Sequence, residues 1–369
     1  MITSHPSSIL CGVRCVAVGA ALCCAACAGV RTAPPAASLP AKQLSFDETF
    51  TRGLEAAAQQ QWDQAVMYFT NADDLARSSS TVHPGLLFNL GLAHAKAGND
   101  ATAIAWFEAY LAVVPDALNA AIIRAERQRL EAALEAKTKL LFEEAIQAAQ
   151  PLPTESGVRS SISGDLAKAG YLDWAVEVYR PQVDATAGDT ARYLAKFRSG
   201  RTKDSAKTLM DVGDVDAALA LVPQITDMSD RDGFWQDLGY YYLYSATPFD
   251  AARSLEALER IEDPSYREAH LNGTATRRQE LQQTHPTVTE PPAVQAWSDL
   301  ARAHCGHSTS LAQDMDELAT NTTRSTSTHV ILRITEIASG LHVQLLRIHA
   351  LEKHLAHHAT VAGATITIQ

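Results

Sequence analysis

The stretch Leu87–Pro115, LFNLGLAHAKAGNDATAIAWFEAYLAVVP, decides the fold. Its apolar residues recur at three- and four-residue spacing on either side of Ala97-Gly98-Asn99-Asp100, which reads as helix, turn, helix. Pro115 ends the second helix because proline has no amide hydrogen to continue the ladder. Gly91 lies 12 residues before Ala103, and Phe107 lies four after it. The same offsets recur upstream in Gly53, Ala65 and Phe69, and downstream in Gly239, Ala251 and Leu255. Two antiparallel helices approach closely only where a small residue faces the partner backbone, so Gly91 is expected to oppose the helix that carries Ala103.

Working outward, weaker copies appear. Ala169-Gly170-Tyr171-Leu172-Asp173-Trp174-Ala175 and Val212-Gly213-Asp214-Val215-Asp216-Ala217-Ala218 share the turn glycine and the alanine five residues after it, as in Gly98 to Ala103. Trp297-x2-Leu300-Ala301-x2-His304 repeats a first helix. Residues 116–150 form one long charged amphipathic segment, and Pro-rich breaks follow at Pro151–Pro153 and Thr284–Pro292. The only alternating stretch is the tail, Thr360–Ile368, so the chain is expected to be all-α.

Trp235-x2-Leu238-Gly239-x2-Tyr242, and Leu87-x2-Leu90-Gly91-x2-His94 with its alanine, aromatic and proline, resemble the tetratricopeptide repeat, a helix–turn–helix unit of about 34 residues. The resemblance covers roughly Phe46 to His304. It implies an α-α superhelical solenoid of helix–turn–helix repeats whose first helices line a peptide-binding groove. By the glycine register, Phe50 and Leu54, Phe88 and Leu92, and Gln236, Tyr240 and Tyr244 occupy the groove positions. Members that bind a C-terminal carboxylate use Lys, Arg and Asn there. These residues are mostly apolar or aromatic and suit a partner buried by its side chains. The same positions also serve as inter-repeat core, and tyrosine, with an apolar body and a polar tip, suits either role.

Six cysteines do not make a disulfide framework, because five fall within the first 27 residues and leave Cys305 alone. That N-terminal segment reads as an export signal: Arg14, then the apolar run Cys15–Ala26, with no acidic residue before Asp47. As a helix this run spans about 18 Å, short of a bilayer core of about 30 Å. Two processing routes fit. Ala26-Cys27-Ala28 is an A-x-A cleavage site, and Cys24-Ala25-Ala26-Cys27 resembles a bacterial lipobox, with Cys at its first position and lipid on Cys27. Gly29–Gln43 is a Pro/Ala-rich tether. The expected organisation is therefore a signal at 1–27, a tether at 28–45, repeats with a closing helix at 46–150, degenerate repeats at 154–282, and a C-terminal hairpin with capping helices and an irregular tail at 293–369.

A net charge of -11 argues against a nucleic-acid binder, and 46% hydrophobic with 20% charged residues excludes a disordered chain. No Walker loop, H-E-x-x-H or G-x-S-x-G occurs. His354 and His358 stand i, i+4 on a helix and could share a metal, with no third ligand at a set spacing; Cys305 beside His304 and His307 fits an activated nucleophile or, more simply, a small buried residue. The stripe Ile331, Ile334, Ala338, Leu341, Leu345, Ile348 and Leu355 is expected to be a helix pair, broken near Gly340, that caps the last repeat. The leading expectation is a non-enzymatic scaffold without cofactor or metal, binding a protein or peptide in the bacterial envelope through Phe50, Phe88, Gln236, Tyr240 and Tyr244, with a membrane anchor at Cys27. The alternative is an envelope enzyme or metal-binding protein that uses the histidine-rich C-terminal region and docks through the repeats.

Overall fold

Ser45 opens the first helix with a reciprocal cap: its Oγ accepts the Glu48 amide at 3.2 Å, and Glu48 Oε2 accepts the Ser45 amide at 2.9 Å. From there the computed structural model describes residues 44–153, 157–186, 188–284, 292–304 and 328–366, with side chains to 357. The described elements are helical, with no strand among them. They are α1 (Phe46–Ala58), α2 (Trp62–Ser78), α3 (Pro84–Lys96), α4 (Asp100–Val113), α5 (Ala120–Ala149), α6 (Val158–Lys168), α7 (Leu172–Thr186) and α8 (Thr190–Asp211). Then follow α9 (Val215–Leu221) with a 3-10 turn at Val222–Gln224, α10 (Met228–Tyr244), α11 (Ala251–Glu259), α12 (Pro264–Gly273), α13 (Ala275–Gln283), α14 (described over 293–304) and α15 (Thr328–Ile366).

The turn glycines are used alike. Gly98, Gly170 and Gly213 have φ of 78°, 76° and 94°, a left-handed conformation that glycine adopts without steric cost. The next amide then reaches back five residues: Asn99 to His94, Tyr171 to Leu166 and Asp214 to Leu209, each at 2.9 Å. These bonds satisfy carbonyls at the end of the first helix and aim the chain into the second. The α1–α2 turn has the same bond, Gln61 to Ala56 at 2.9 Å, with Gln60 holding φ at 58°.

The glycine contact corrects one detail of the expected packing. A Cβ on Gly91 would lie 2.5 Å from the Phe107 ring, and one on Gly53 would lie 2.4 Å from the Phe69 ring. Gly91 and Gly53 thus oppose the helices that carry Ala103 and Ala65, as expected, but they meet the ring four residues past the alanine where the partner backbone was expected. In the α10–α11 hairpin a Cβ on Gly239 would lie 2.6 Å from Leu258, which takes the place expected of Leu255. The reason is where the second helix starts. Ala65, Ala103, Ala175 and Ala218 are each the fourth residue of their helices, whereas Ala251 is the first of α11. Buried Ser254 is the fourth and Leu258 follows it by four, so a longer turn has displaced the true equivalents. Ser163 and Ala206, 12 residues before Ala175 and Ala218, are fully buried, and Ser163 Oγ donates to the Ala175 carbonyl at 2.7 Å.

Gly340 does not break the C-terminal stripe. One helix of 39 residues, α15, runs through it, and the helix continues to Ile366 where an irregular tail is expected. A glycine in a helix costs only about 1 kcal/mol relative to alanine, and burial of the long apolar stripe outweighs that. Nor does α15 cap the last repeat. It packs along α5 and α6 and touches α4, with Ile331, Ala338, Leu341, Leu345 and Ile348 buried. One apolar cluster runs from α1 to α7 and takes in Trp297 and Ala301 of α14 together with α15; a second spans α8 to α11.

Ion pairs fasten these returning segments. Arg127 of α5 holds Glu108 of α4 at 3.0 Å, Glu131 of α5 at 2.9 Å and Glu352 of α15 at 2.8 Å. Burial pushes the Glu108 carboxyl up, and the Arg127 guanidinium opposes that shift. On the other side, Arg302 of α14 binds Asp73, and also Asp74 at 2.8 Å, while Arg77 holds Asp299 at 2.9 Å.

One buried histidine, His94, and one half-buried, His342, make the fold acid-sensitive. Burial lowers His94 to a pKa of about 4. It lowers His342, which packs on Tyr171 and faces Glu135, Lys139 and His349, to about 4 as well. Between pH 6.5 and 4 the unfolded chain takes up protons that the folded chain refuses, so stability is full above pH 6.5 and falls as pH drops. Each histidine contributes up to about 1.4 kcal/mol per pH unit in that window. Urea titrations from neutral to acid pH are expected to show a shallower loss in His94→Gln than in the parent. Gly91→Ala is expected to cost about 1–3 kcal/mol through overlap with Phe107, most of it recovered by adding Phe107→Leu in a double-mutant cycle.

Candidate interaction surface

The last hairpins carry a row of aromatic side chains that reaches solvent. α10 starts at Asp227, whose carboxylate accepts the Ser229 and Asp230 amides at 3.1 and 3.3 Å. Spacing of four then places Gln236, Tyr240 and Tyr244 on one face. α12 is laid against that face by buried Asp232. Its two carboxylate oxygens accept the amides of Glu262 at 2.7 Å and Asp263 at 3.1 Å, just ahead of the helix. Asp263 caps α12 by accepting the Ser265 and Tyr266 amides, both at 2.9 Å, and these bonds lower its pKa. Pro264 is the first residue of α12, where its fixed φ suits a helix start, so it begins the next element in addition to following the previous one.

Two pairs with matched spacing therefore meet. Tyr266 and His270 of α12 face Gln236 and Tyr240 of α10. The Tyr266 hydroxyl donates to Gln236 Oε1, and the Tyr240 hydroxyl bonds His270 Nδ1 at 2.8 Å. Ring centroids lie 4.3 Å apart for Tyr266 and His270, 5.7 Å for His270 and Tyr240, and 6.2 Å for Tyr240 and Tyr244. All three pairs are edge-on, the arrangement in which a ring edge meets a ring face. Arg277 of α13 extends the row by lying 6.0 Å from the Tyr244 ring and 5.4 Å from that of Phe249. Tyr244 is 55% exposed, Phe249 42% and Tyr266 37%, while Tyr240 and His270 are half-buried. Burial, followed by the nearby Asp237, raises the Tyr266 phenol further, so at neutral pH it keeps its proton and donates.

The other groove residues lie elsewhere. Phe50 is half-buried between Phe46 and Phe69, at 5.9 and 5.6 Å. Phe88 is half-buried against Phe107 and Tyr110, at 6.3 and 5.7 Å. Both pack on the first apolar cluster, against the rings that meet the hairpin glycines, whereas α10 belongs to the second. Three residues of the row, Tyr266, His270 and Phe249, were not legible as site residues. The signal for the first two was the spacing of four after the Asp263-Pro264 start, which matches that of Gln236 and Tyr240.

Cys27, Cys305, His307 and the side chain of His358 lie outside the described residues. His354 and His357 are exposed on α15 and line a 900 Å³ cleft with Asp214, Asp250 and Lys353. Among the described residues, no three His, Cys, Asp or Glu side chains converge in a way that could hold a metal ion. No helix among them is long and apolar enough to cross a membrane. The chain matches no protein-family model and no curated protein.

Asp232 positions α12, and its removal would leave two part-buried amides without their acceptor. Asp232→Ala is expected to lower stability by about 2 kcal/mol in denaturant titration, and Asp232→Asn, which keeps one acceptor, by less.

Proposed function

We propose that this chain is a non-enzymatic helical-repeat scaffold of the tetratricopeptide kind, stacking its hairpins as an α-α superhelical solenoid to bind a protein or peptide in the bacterial envelope. The observation that carries the reading is the exposed aromatic row Tyr266–His270–Tyr240–Tyr244–Phe249 on the last hairpins. Such rings offer a large apolar area with few rotatable bonds, and their hydroxyls and imidazole allow hydrogen bonding at the rim of a contact. Turn glycines at equivalent places and small residues at the hairpin contacts support the repeat assignment. The apolar run Cys15–Ala26, ending at Cys27, supports export and a lipid anchor on that cysteine.

In this reading Gln236 and Tyr240 hold α12 in place and brace the row, and Tyr244 supplies the most exposed contact. Phe50 and Phe88, half-buried on the first apolar cluster, are secondary contacts in this reading.

Affinity capture from envelope extracts, compared between the parent and a Tyr240→Ala, Tyr244→Ala variant of equal melting temperature, tests the proposal. The expected outcome is a partner retained by the parent and by His354→Ala but lost from the tyrosine variant. Zinc or nickel held stoichiometrically by the purified protein and released by His354→Ala would overturn it. Intact mass of the mature protein is expected to show a diacylated or triacylated Cys27, and an unmodified start at Gly29 would refute the anchor.

A further inference from the structure

α8 carries the opposite charge to the chain around it. Over Thr190–Asp211 it has Arg192, Lys196, Arg198, Arg201, Lys203 and Lys207 against Asp204 and Asp211, in a protein of net charge -11. At about 100° per residue, Arg192, Lys196, Lys203 and Lys207 fall within a sector of about 60°. They form a basic stripe about 22 Å long. The other two cations are committed to the fold: Arg198 to Asp173 at 2.7 Å, and Arg201 to Asp204 at 2.8 Å and the Ser160 carbonyl at 3.1 Å. The stripe is not. Lys196, 72% exposed, reaches only Asp227, at 3.7 Å, and Lys207 reaches Asp211 on its own helix at 3.9 Å. Arg192 and Lys203 have no carboxylate within ion-pair distance among the described residues.

A groove of 460 Å³ with an apolar wall and a charged rim runs beside the stripe, between α7 and α8 and closed at one edge by Asp230 of α10. Its wall is a stacked pair, Tyr179 on Phe197, with centroids 3.8 Å apart and planes within 8°. The Arg201 guanidinium backs Phe197 at 4.7 Å. Val183 and Tyr193, the latter 59% exposed, complete the apolar part, and Lys196 and Lys203 stand at the edge with Asp204 and Asp230. Asp204 is engaged by Arg201, which leaves Lys196 and Lys203 against the one carboxylate of Asp230 at the rim.

We propose that the α7–α8 groove docks an acidic peptide segment, with one aromatic or large aliphatic side chain in the groove and flanking carboxylates on the basic stripe. The volume suits one such anchor. An extended strand of about seven residues matches the length of the stripe. Charge complementarity selects the partner, since α8 has six cationic side chains against two acidic ones in a chain of net charge -11. The site is separate from the aromatic row on α10–α13 and does not depend on its role.

A fluorescein-labelled octapeptide of Glu and Asp with one central Phe, titrated into the full chain and followed by anisotropy, tests the proposal. Saturable binding is expected, weakening about tenfold as salt rises from roughly 50 to 300 mM. A Lys196→Glu, Lys203→Glu variant should weaken it at least about tenfold, and so should an octapeptide whose Phe is replaced by Gly. Tyr244→Ala should bind as the parent does, which separates this site from the aromatic row. Should charge reversal unfold α8, seen as a lowered melting temperature, the Lys196→Gln, Lys203→Gln pair provides the same comparison. Absence of binding at millimolar peptide, or equal affinity in the lysine variants, overturns the proposal. So does sedimentation with phosphatidylglycerol vesicles that the lysine variants abolish while the peptide stays unbound, because the stripe would then face a membrane.

Discussion

The constraint on which the structure depends is the contact between a residue without a side chain on the first helix of a hairpin and a large side chain on the second. Gly53 against Phe69, Gly91 against Phe107 and Gly239 against Leu258 each leave no room for even a methyl group. The large side chain packs on the bare backbone of the partner helix, so the two helices of a hairpin lie closer than any side chain at the glycine would permit. That closeness lets the next pair stack on them, because the outer faces then present partly buried rings such as Phe50 and Phe88 instead of gaps. Where the position holds serine or alanine, as at Ser163 and Ala206, the small side chain is itself fully buried and the rule is only relaxed.

The polar interior follows from the way the chain returns on itself. α14 and α15 come back to the first hairpins and to α5 across more than 150 residues of sequence, and charged or polar groups are trapped in those seams. Arg127 serves carboxylates from three helices, and buried Asp165 accepts the Thr335 hydroxyl of α15 at 2.9 Å. Removing one member of such a set leaves the rest desolvated without compensation, which makes these pairs matter more than exposed ones. The same burial that neutralises His94 and His342 makes the assembled form depend on a pH above the titration of free imidazole.

Two surfaces stand out among the described residues. The aromatic row is nearly uncharged and built from three helices, whereas the α8 stripe is cationic and built from one. An apolar, hydrogen-bonding surface and a charged one contribute differently to a complex, the first mainly to its lifetime and the second to the encounter rate.

Helix identity, the hairpin turns and their order were legible along the chain, because they rest on local physics. A 3.6-residue apolar period, glycine at the left-handed turn position and Ser45 with Glu48 at a cap act over four or five residues. Gln236, Tyr240 and Tyr244 could be placed on one face by the same period. What covers that face could not, since Tyr266 and His270 reach it only because Asp232 captures two amides 30 and 31 residues away. The equivalence of Ser254 with Ala103 was hidden by a longer turn, which preserves an offset in sequence while shifting the start of the helix. Tertiary structure alone decided that α15 is one unbroken helix lying along α5, because one apolar stripe can be buried against any complementary face. Which face wins depends on shape and charge partners brought together only when the whole chain has folded.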